Sequence, residues 1–306
     1  MRCCKNSIRG FMGMGKNNLK IAVLSGKGGT GKTLVSVNLA AVAQDAVYID
    51  CDVEEPNGHL FWKPVLTSEE IVSARIPLID SDRCNGCRIC VDFCRFNALA
   101  FIKNKPVLFK DICHSCGGCA LFCPQQAISE EEKRIGVMQT GVSGRVLVHT
   151  GVLNPGESSG VLLIKELMKK CSCERERMIF IDCPPGSACI VMESIKDADY
   201  CILVAEPTVY GAHNLKMVCE LAEVFHKPHG VVLNKCMEAK NPAEAYCVAH
   251  HVPILGRIPF DSTLGLLNSN ARIAARENER YKRLFSALLN TVKEEAWHET
   301  AAHPQR

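Results

Sequence analysis

The sequence predicts a three-layer α/β domain on a mostly parallel sheet, interrupted after its second strand by a small α+β module rich in cysteine. Three observations carry this expectation. Short apolar runs alternate with helix-length amphipathic stretches, a glycine-rich loop joins the first run to the first such stretch, and the alternation breaks once, between Ile71 and Lys133.

The first apolar run is LKIAVLS (19–25), followed by GKGGTGKT and the helix-like TLVSVNLAAVAQ, so strand, loop and helix come in order. AVYID (46–50), MIFID (178–182), CILVAE (201–206) and GVVLNK (230–235) read as further strands with helices between them, which a parallel, doubly covered sheet requires. The stretch YKRLFSALLNTVKEEAW reads as an amphipathic helix packed on the sheet, its basic content being too small for a membrane-targeting tail. After Leu289 the chain turns polar. Residues 1–18 are expected to be a disordered start and residues 291–306 a fraying tail.

With 306 residues, 47% of them apolar, the chain can bury one large core and a smaller one. A net charge of +3 gives no basic footprint for nucleic acid. There is no secretory leader pattern, and no apolar run approaches the ~18 residues needed to span a bilayer. Nineteen cysteines in such a chain point to metal binding in a reducing, cytoplasmic setting rather than to disulfides.

Within the break, IPLIDSDRCNGCRICVDFC repeats as KPVLFKDICHSCGGCALFC, with Pro77 and Pro106 standing at equal distances before Cys84 and Cys113. Cys84, Cys87, Cys90 and Cys94 follow C-x-x-C-x-x-C-x-x-x-C, and Cys113, Cys116, Cys119 and Cys123 follow it again, with Pro124 after the second copy and Arg95 after the first. Soft thiolates at this spacing suit two [4Fe-4S] clusters; two zinc sites are the competing reading, but tetrahedral zinc usually has a wider gap between its ligand pairs. The stretch resembles bacterial-type two-cluster ferredoxins. That resemblance implies that Cys84, Cys87, Cys90 and Cys123 hold one cluster and that Cys113, Cys116, Cys119 and Cys94 hold the other.

Gly26, Lys27, Gly28, Gly29, Thr30, Gly31, Lys32 and Thr33 satisfy G-x-x-x-x-G-K-[ST] between a strand and a helix. In such a loop backbone N–H groups curl round the β-phosphate, Lys32 reaches the β- and γ-oxygens, and the Thr33 hydroxyl ligates Mg²⁺. Lys27 makes the loop resemble the deviant Walker A sequence of the MinD/ParA/Mrp class of P-loop ATPases, in which two subunits face each other across two ATP molecules. The resemblance implies that Lys27 acts in trans on the partner's phosphates.

Further segments resemble that class. YIDCDVEEPN matches switch I, implying that Asp50 and Asp52 orient the attacking water and hold magnesium-bound water; FIDCPPG matches the Walker B and switch II segment, implying that Asp182 senses the γ-phosphate. LNK, with Asn234 and Lys235, resembles the base-recognising segment, and EPT (206–208) and IPFD (258–261), which contains Pro259, match it too. Turn-capping roles for the aspartates and for Asn234 stay open. Cys189 and Cys183 flank switch II, where relatives such as the nitrogenase iron protein bridge a cluster across the dimer; core packing is the other reading. Cys3 and Cys4, and the C-x-C pair Cys171 and Cys173, are weak ligand candidates.

The whole arrangement is similar to MinD-superfamily ATPases with an inserted ferredoxin domain. On that basis residues 19–71 and 133–290 form a discontinuous ATPase domain and residues 72–132 the insert. The implied function is a Mg-dependent ATPase that couples dimer switching to metal or iron-sulfur cofactor assembly or delivery to a metalloenzyme. ATP-gated, low-potential electron transfer through the clusters is the alternative, and a ParA-like positioning switch a weaker third. Implied partners are a second copy or a related ATPase, and a metalloprotein or redox-protein client, with no nucleic acid and no membrane.

Overall fold

The computed structural model describes residues 19–171, 177–237 and 241–302. The expected disordered start, with Cys3 and Cys4, lies outside these residues, as does Cys173. The elements in chain order are β1 (Lys20–Leu24), α1 (Lys32–Ala43), β2 (Ala46–Asp50), α2 (Gly58–Trp62), β3 (Val65–Ile79), α3 (Ile89–Phe93), β4 (Leu99–Ile102), β5 (Lys105–Leu108), α4 (Gly118–Leu121), β6 (Ile128–Ser143) and β7 (Val146–Leu153). They continue with α5 (Val161–Cys171), β8 (Met178–Asp182), α6 (Cys189–Ile195), β9 (Tyr200–Ala205), α7 (Val209–Val224), β10 (His229–Cys236), α8 (Pro242–Ala249), β11 (Ile254–Pro259), α9 (Ser262–Ser269), α10 (Ala274–Glu277) and α11 (Glu279–Ala302).

Nine strands form one sheet in the order β11-β10-β9-β1-β8-β2-β7-β6-β3, parallel from β11 to β7 and antiparallel in its last two strands. Strands β1, β2, β8 and β9 are apolar apart from Lys20, Asp50 and Asp182 at their ends, because helices cover both faces; apart from Lys20 every residue in them is buried. One apolar layer joins Ile49 and Ile181 to Leu163, Val191 and Leu215 of α5, α6 and α7. The other joins Tyr48 and Phe180 to Val35 of α1 and Phe285 of α11. Polar side chains start several helices: Thr208, Asn241 and Asp261 accept backbone N–H groups at the heads of α7, α8 and α9.

Three features differ from the sequence-based expectation. Strand β7 goes unread there because His149 and Thr150 interrupt its apolar run, yet both are buried, with His149 Nδ1 3.0 Å from Thr140 Oγ1 on β6. The cysteine-rich module is entered from the sheet-edge strand β3 rather than directly after the second strand. Strands β3 and β6 pair from Val65↔Val142 to Ile79↔Ile128, with register shifts between Leu66 and Ser68 and between Val72 and Ser73, so the expected boundaries at 72 and 132 fall inside a ribbon that is sheet at one end and module at the other. The charged run EEEKR conceals β6 in the sequence because that part of the ribbon lies beyond β7. Finally, α11 runs through Ala302, correcting the tail proposed from 291: Val292 and Ala296 are buried and prolong its packed face.

The module itself repeats its conformation with its sequence. Gly86 and Ser115, Arg88 and Gly117, and Asn97 and Gln126 all take positive φ at matching places in the two halves. Asp80 N donates to Ala127 O as Phe109 N donates to Ala98 O, and β4 pairs with β5. Among the described residues no helix is long and apolar enough to cross a membrane.

A chain ended at Asn290 loses the contacts of Val292 and Ala296, and urea unfolding should show it less stable by about 2–4 kcal/mol. An unchanged midpoint would show that this end of α11 is not part of the packed domain.

Candidate nucleotide and thiol sites

The loop from Gly26 to Thr33 leaves β1 at the carboxyl end of the sheet, where parallel α/β sheets bind ligands. Gly29 and Gly31 have φ of 78° and 99°, and a Cβ at Gly31 would lie 2.2 Å from Asn234 Nδ2. Helix α1 starts at Lys32 with no capping side chain and no acidic residue in its first turn, so its amino-terminal N–H groups remain open to an anion. Thr30 Oγ1 and Asp182 Oδ1 are buried without a hydrogen-bond partner. An uncapped helix, a loop only glycine can follow and two orphaned polar atoms fit a phosphate with its cation.

The predicted residues converge here with distinct surroundings. Parallel register aligns Asp50 with Asp182 at the ends of β2 and β8. Asp50 is wholly buried and accepts backbone N–H groups from Asp52 (3.2 Å), Asn57 (3.1 Å) and Gly58 (2.7 Å), so it organises the loop after β2. Burial, and then the Asp182 charge, push its pKa up. Burial likewise raises Asp182, opposed by Lys32 and by the hydroxyls of Tyr48, Thr33 and Ser36. Asp52 is only half-buried; its carboxyl is pushed up to about 6, chiefly by burial, against the pull of Lys32. Of these two carboxylates, Asp52 is therefore the more accessible.

Lys27 does not extend freely. Its Nζ lies 2.7 Å from Glu206 Oε2, while Lys235 Nζ lies 2.6 Å from Glu206 Oε1 and donates to Gly29 O at 3.0 Å. Burial works to raise the Glu206 pKa, but hydrogen bonds and charge from Lys235 and Lys27 bring it below the ordinary value. Asn234 is committed to the chain itself: Nδ2 donates to Thr30 O at 2.7 Å and Oδ1 accepts from Lys235 N at 2.9 Å. It braces the phosphate loop. Pro259 is exposed at the end of β11, beside Cys236 of β10. Sequence reasoning missed Tyr48, whose hydroxyl donates to Asp182 Oδ2 at 2.8 Å; the available signal is a lone tyrosine in an otherwise aliphatic strand.

In the module, Cys84, Cys87, Cys90 and Cys123 line one pocket and Cys94, Cys113, Cys116 and Cys119 line a second. Cys87 and Cys116, at equivalent places in the repeat, are exposed. Ala127 N donates to Cys123 Sγ at 3.3 Å and Ser115 N to Cys113 Sγ at 3.5 Å. Among the described residues, no three His, Cys, Asp or Glu side chains are close enough to hold a single metal ion. Cys183 is wholly buried, its thiol pushed well up by burial, while Cys189 is exposed at the start of α6.

Replacing Asn234 with alanine leaves Thr30 O without its donor, so stability should fall by about 1–3 kcal/mol and nucleotide affinity with it. Calorimetry and nucleotide titration check this; wild-type values in both would contradict the bracing role.

The fold resembles several solved structures. It matches the Pyrococcus furiosus cell division ATPase MinD with a TM-score of 0.57 and 18% identity, covering 90% of this chain and 99% of that one. It matches the septum site-determining protein MinD complexed with Mg-ADP from Pyrococcus horikoshii with a TM-score of 0.55 and 18% identity, covering 89% and 94%. In sequence, an uncharacterized protein of Methanocaldococcus jannaschii is 32% identical over 87% of this chain and 96% of its own length. A second uncharacterized protein of that organism is 28% identical over 70% and 79%. The CobQ/CobB/MinD/ParA nucleotide binding domain matches residues 21–273, and the chain belongs to that family.

Proposed function

We propose that the protein is an ATP-hydrolysing, dimerising iron-sulfur protein that couples nucleotide turnover to the assembly or delivery of a metal or iron-sulfur cofactor for a metalloenzyme. The observation that carries this reading is the crossed arrangement of thiols, in which Cys123 joins the first three cysteines and Cys94 the second three. That arrangement matches the ligand pattern of a ferredoxin with two cubane clusters, and supports reading residues 72–132 as an inserted domain of that kind. Four soft thiolates to a pocket suit the four irons of a cubane cluster. When bound, such clusters supply one-electron redox chemistry and transferable iron and sulfide.

At the nucleotide end, Lys32 and the N–H groups heading α1 take the β- and γ-phosphates, and Thr33 and Asp182 take Mg²⁺, which neutralises phosphate charge when bound. Asp52 orients water. Lys27, held in cis by Glu206, must exchange this partner for the phosphates of a second subunit as the dimer closes. The Mg-ADP complex of the Pyrococcus horikoshii relative supports ATP as the nucleotide.

ATP-gated electron transfer is the second reading. Exposed Cys87 and Cys116 favour it, because they bring both clusters near the surface, where a redox partner can approach. The two readings separate in a transfer assay to an apo-recipient. Delivery predicts that Lys32→Ala abolishes ATP-stimulated transfer; transfer unchanged by this variant contradicts delivery.

Protein isolated without oxygen should carry roughly eight iron and eight acid-labile sulfide per chain, and Cys94→Ser with Cys123→Ser should lose most of both. Stoichiometric zinc without sulfide would refute the cluster assignment. ATP turnover should fall at least about a hundredfold in Lys32→Ala. Because Asp52 is protonated below its pKa, turnover should be lost as pH falls through about 6, and Asp52→Asn should remove that limb. A limb near pH 4 would instead mean that Asp52 is a fully solvated carboxylate.

A further inference from the structure

Tyr48 lies on β2 two residues before Asp50, on the same face of the sheet, and is wholly buried. A buried phenol needs an acceptor, and here it is a carboxylate of the neighbouring strand: the hydroxyl donates to Asp182 Oδ2 at 2.8 Å. The ring also underlies α2. A Cβ on Gly58 would fall 2.4 Å from Tyr48 Cε1, the Trp62 ring lies 5.6 Å away, and Gly58 N donates to Asp50 Oδ2 at 2.7 Å. One side chain therefore touches the segment leaving β2 and holds the carboxylate ending β8. Asp182 has its two oxygens in different states, Oδ2 occupied by the tyrosine and Oδ1 buried without a partner.

We propose that Tyr48 is a positioning residue for Asp182: by occupying Oδ2 it fixes the rotation of the carboxylate and keeps Oδ1 available to the cation held at Thr33. The proposal rests on the nucleotide-hydrolysis reading of the site. Phenylalanine at this position keeps the ring that packs on Gly58 and Trp62 and removes only the donor.

The test compares wild type, Lys32→Ala, Tyr48→Phe, Asp182→Asn and the double variant Tyr48→Phe/Asp182→Asn. Two quantities are read: ATP turnover, and the factor by which Mg²⁺ tightens ADP binding. In Tyr48→Phe the Mg²⁺ factor should fall about tenfold while ADP affinity in a chelator stays within about twofold, and kcat should fall about tenfold with little change in KM. Because Tyr48 acts through Asp182, adding Tyr48→Phe to Asp182→Asn should leave the Mg²⁺ factor unchanged. The double variant is read against Asp182→Asn, in which the carboxylate charge is already gone, so it reports even if the single phenylalanine variant folds poorly. A wild-type Mg²⁺ factor in Tyr48→Phe, or a further loss in the Asp182→Asn background, would overturn the proposal. If wild-type turnover does not exceed that of Lys32→Ala, the ATPase reading fails, and the Mg²⁺ factor still decides the role of Tyr48.

Discussion

The parallel register at the end of β8 is the constraint on which the rest of the site depends. Val23 and Asp50 both stand opposite Asp182, on the strands to either side. This places the exit of β1 into the phosphate loop, the start of the segment after β2 and the Asp182 carboxylate at one edge of the sheet. Strand side chains alternate, so a slip of one residue would send Tyr48 and Asp50 to the opposite face. The burial of β1, β2 and β8 on both faces makes that slip costly, because every apolar residue in them would change layers. The carboxylates are thus held in place by hydrophobic packing, and their own burial is a cost the fold carries: Asp50 and Asp182 both have raised pKa values.

The same sheet links the nucleotide site to the thiol module by a short covalent and packing route. The β3–β6 ribbon runs from the sheet edge to the first and last residues of the module. A second link is the turn between β7 and α5. Ser158 Oγ donates to Cys113 O at 3.3 Å, and two residues later a Cβ on Gly160 would lie 2.5 Å from Val53 and 3.8 Å from Ile190. Val53 follows Asp52, and Ile190 follows Cys189 in the helix after Asp182. This turn is thus packed tightly against the segments that follow Asp50 and Asp182 and is bonded to the second thiol loop. Lys133 reinforces the junction, reaching Glu157 at 3.1 Å and Asp111 at 3.3 Å.

Much of this was legible from the chain. The phosphate loop could be read because glycine, lysine and threonine have spacing-dependent roles there, and the buried strands because they are apolar without alternation. The thiol repeat was legible through its spacing, although only the folded chain brings Cys123 to Cys84 and Cys94 to Cys113. What escaped was set by tertiary context. β7 hides behind two buried polar residues, Thr150 and His149, the latter bonded to Thr140, and the ribbon hides behind charges that project past the sheet. The division of labour between Asp50 and Asp52 is invisible in sequence, since only burial separates them. So is the commitment of Asn234 to Thr30 and of Lys27 to Glu206, both long-range contacts between ordinary polar residues.

The account makes the thiol module answer to the nucleotide, and the most direct measurement of that link is the rate at which an iron chelator strips the anaerobically isolated protein in Mg-ATP and in Mg-ADP. The account predicts rates that differ between the two nucleotides in wild type and converge in Lys32→Ala. Equal rates in wild-type protein saturated with either nucleotide would contradict it.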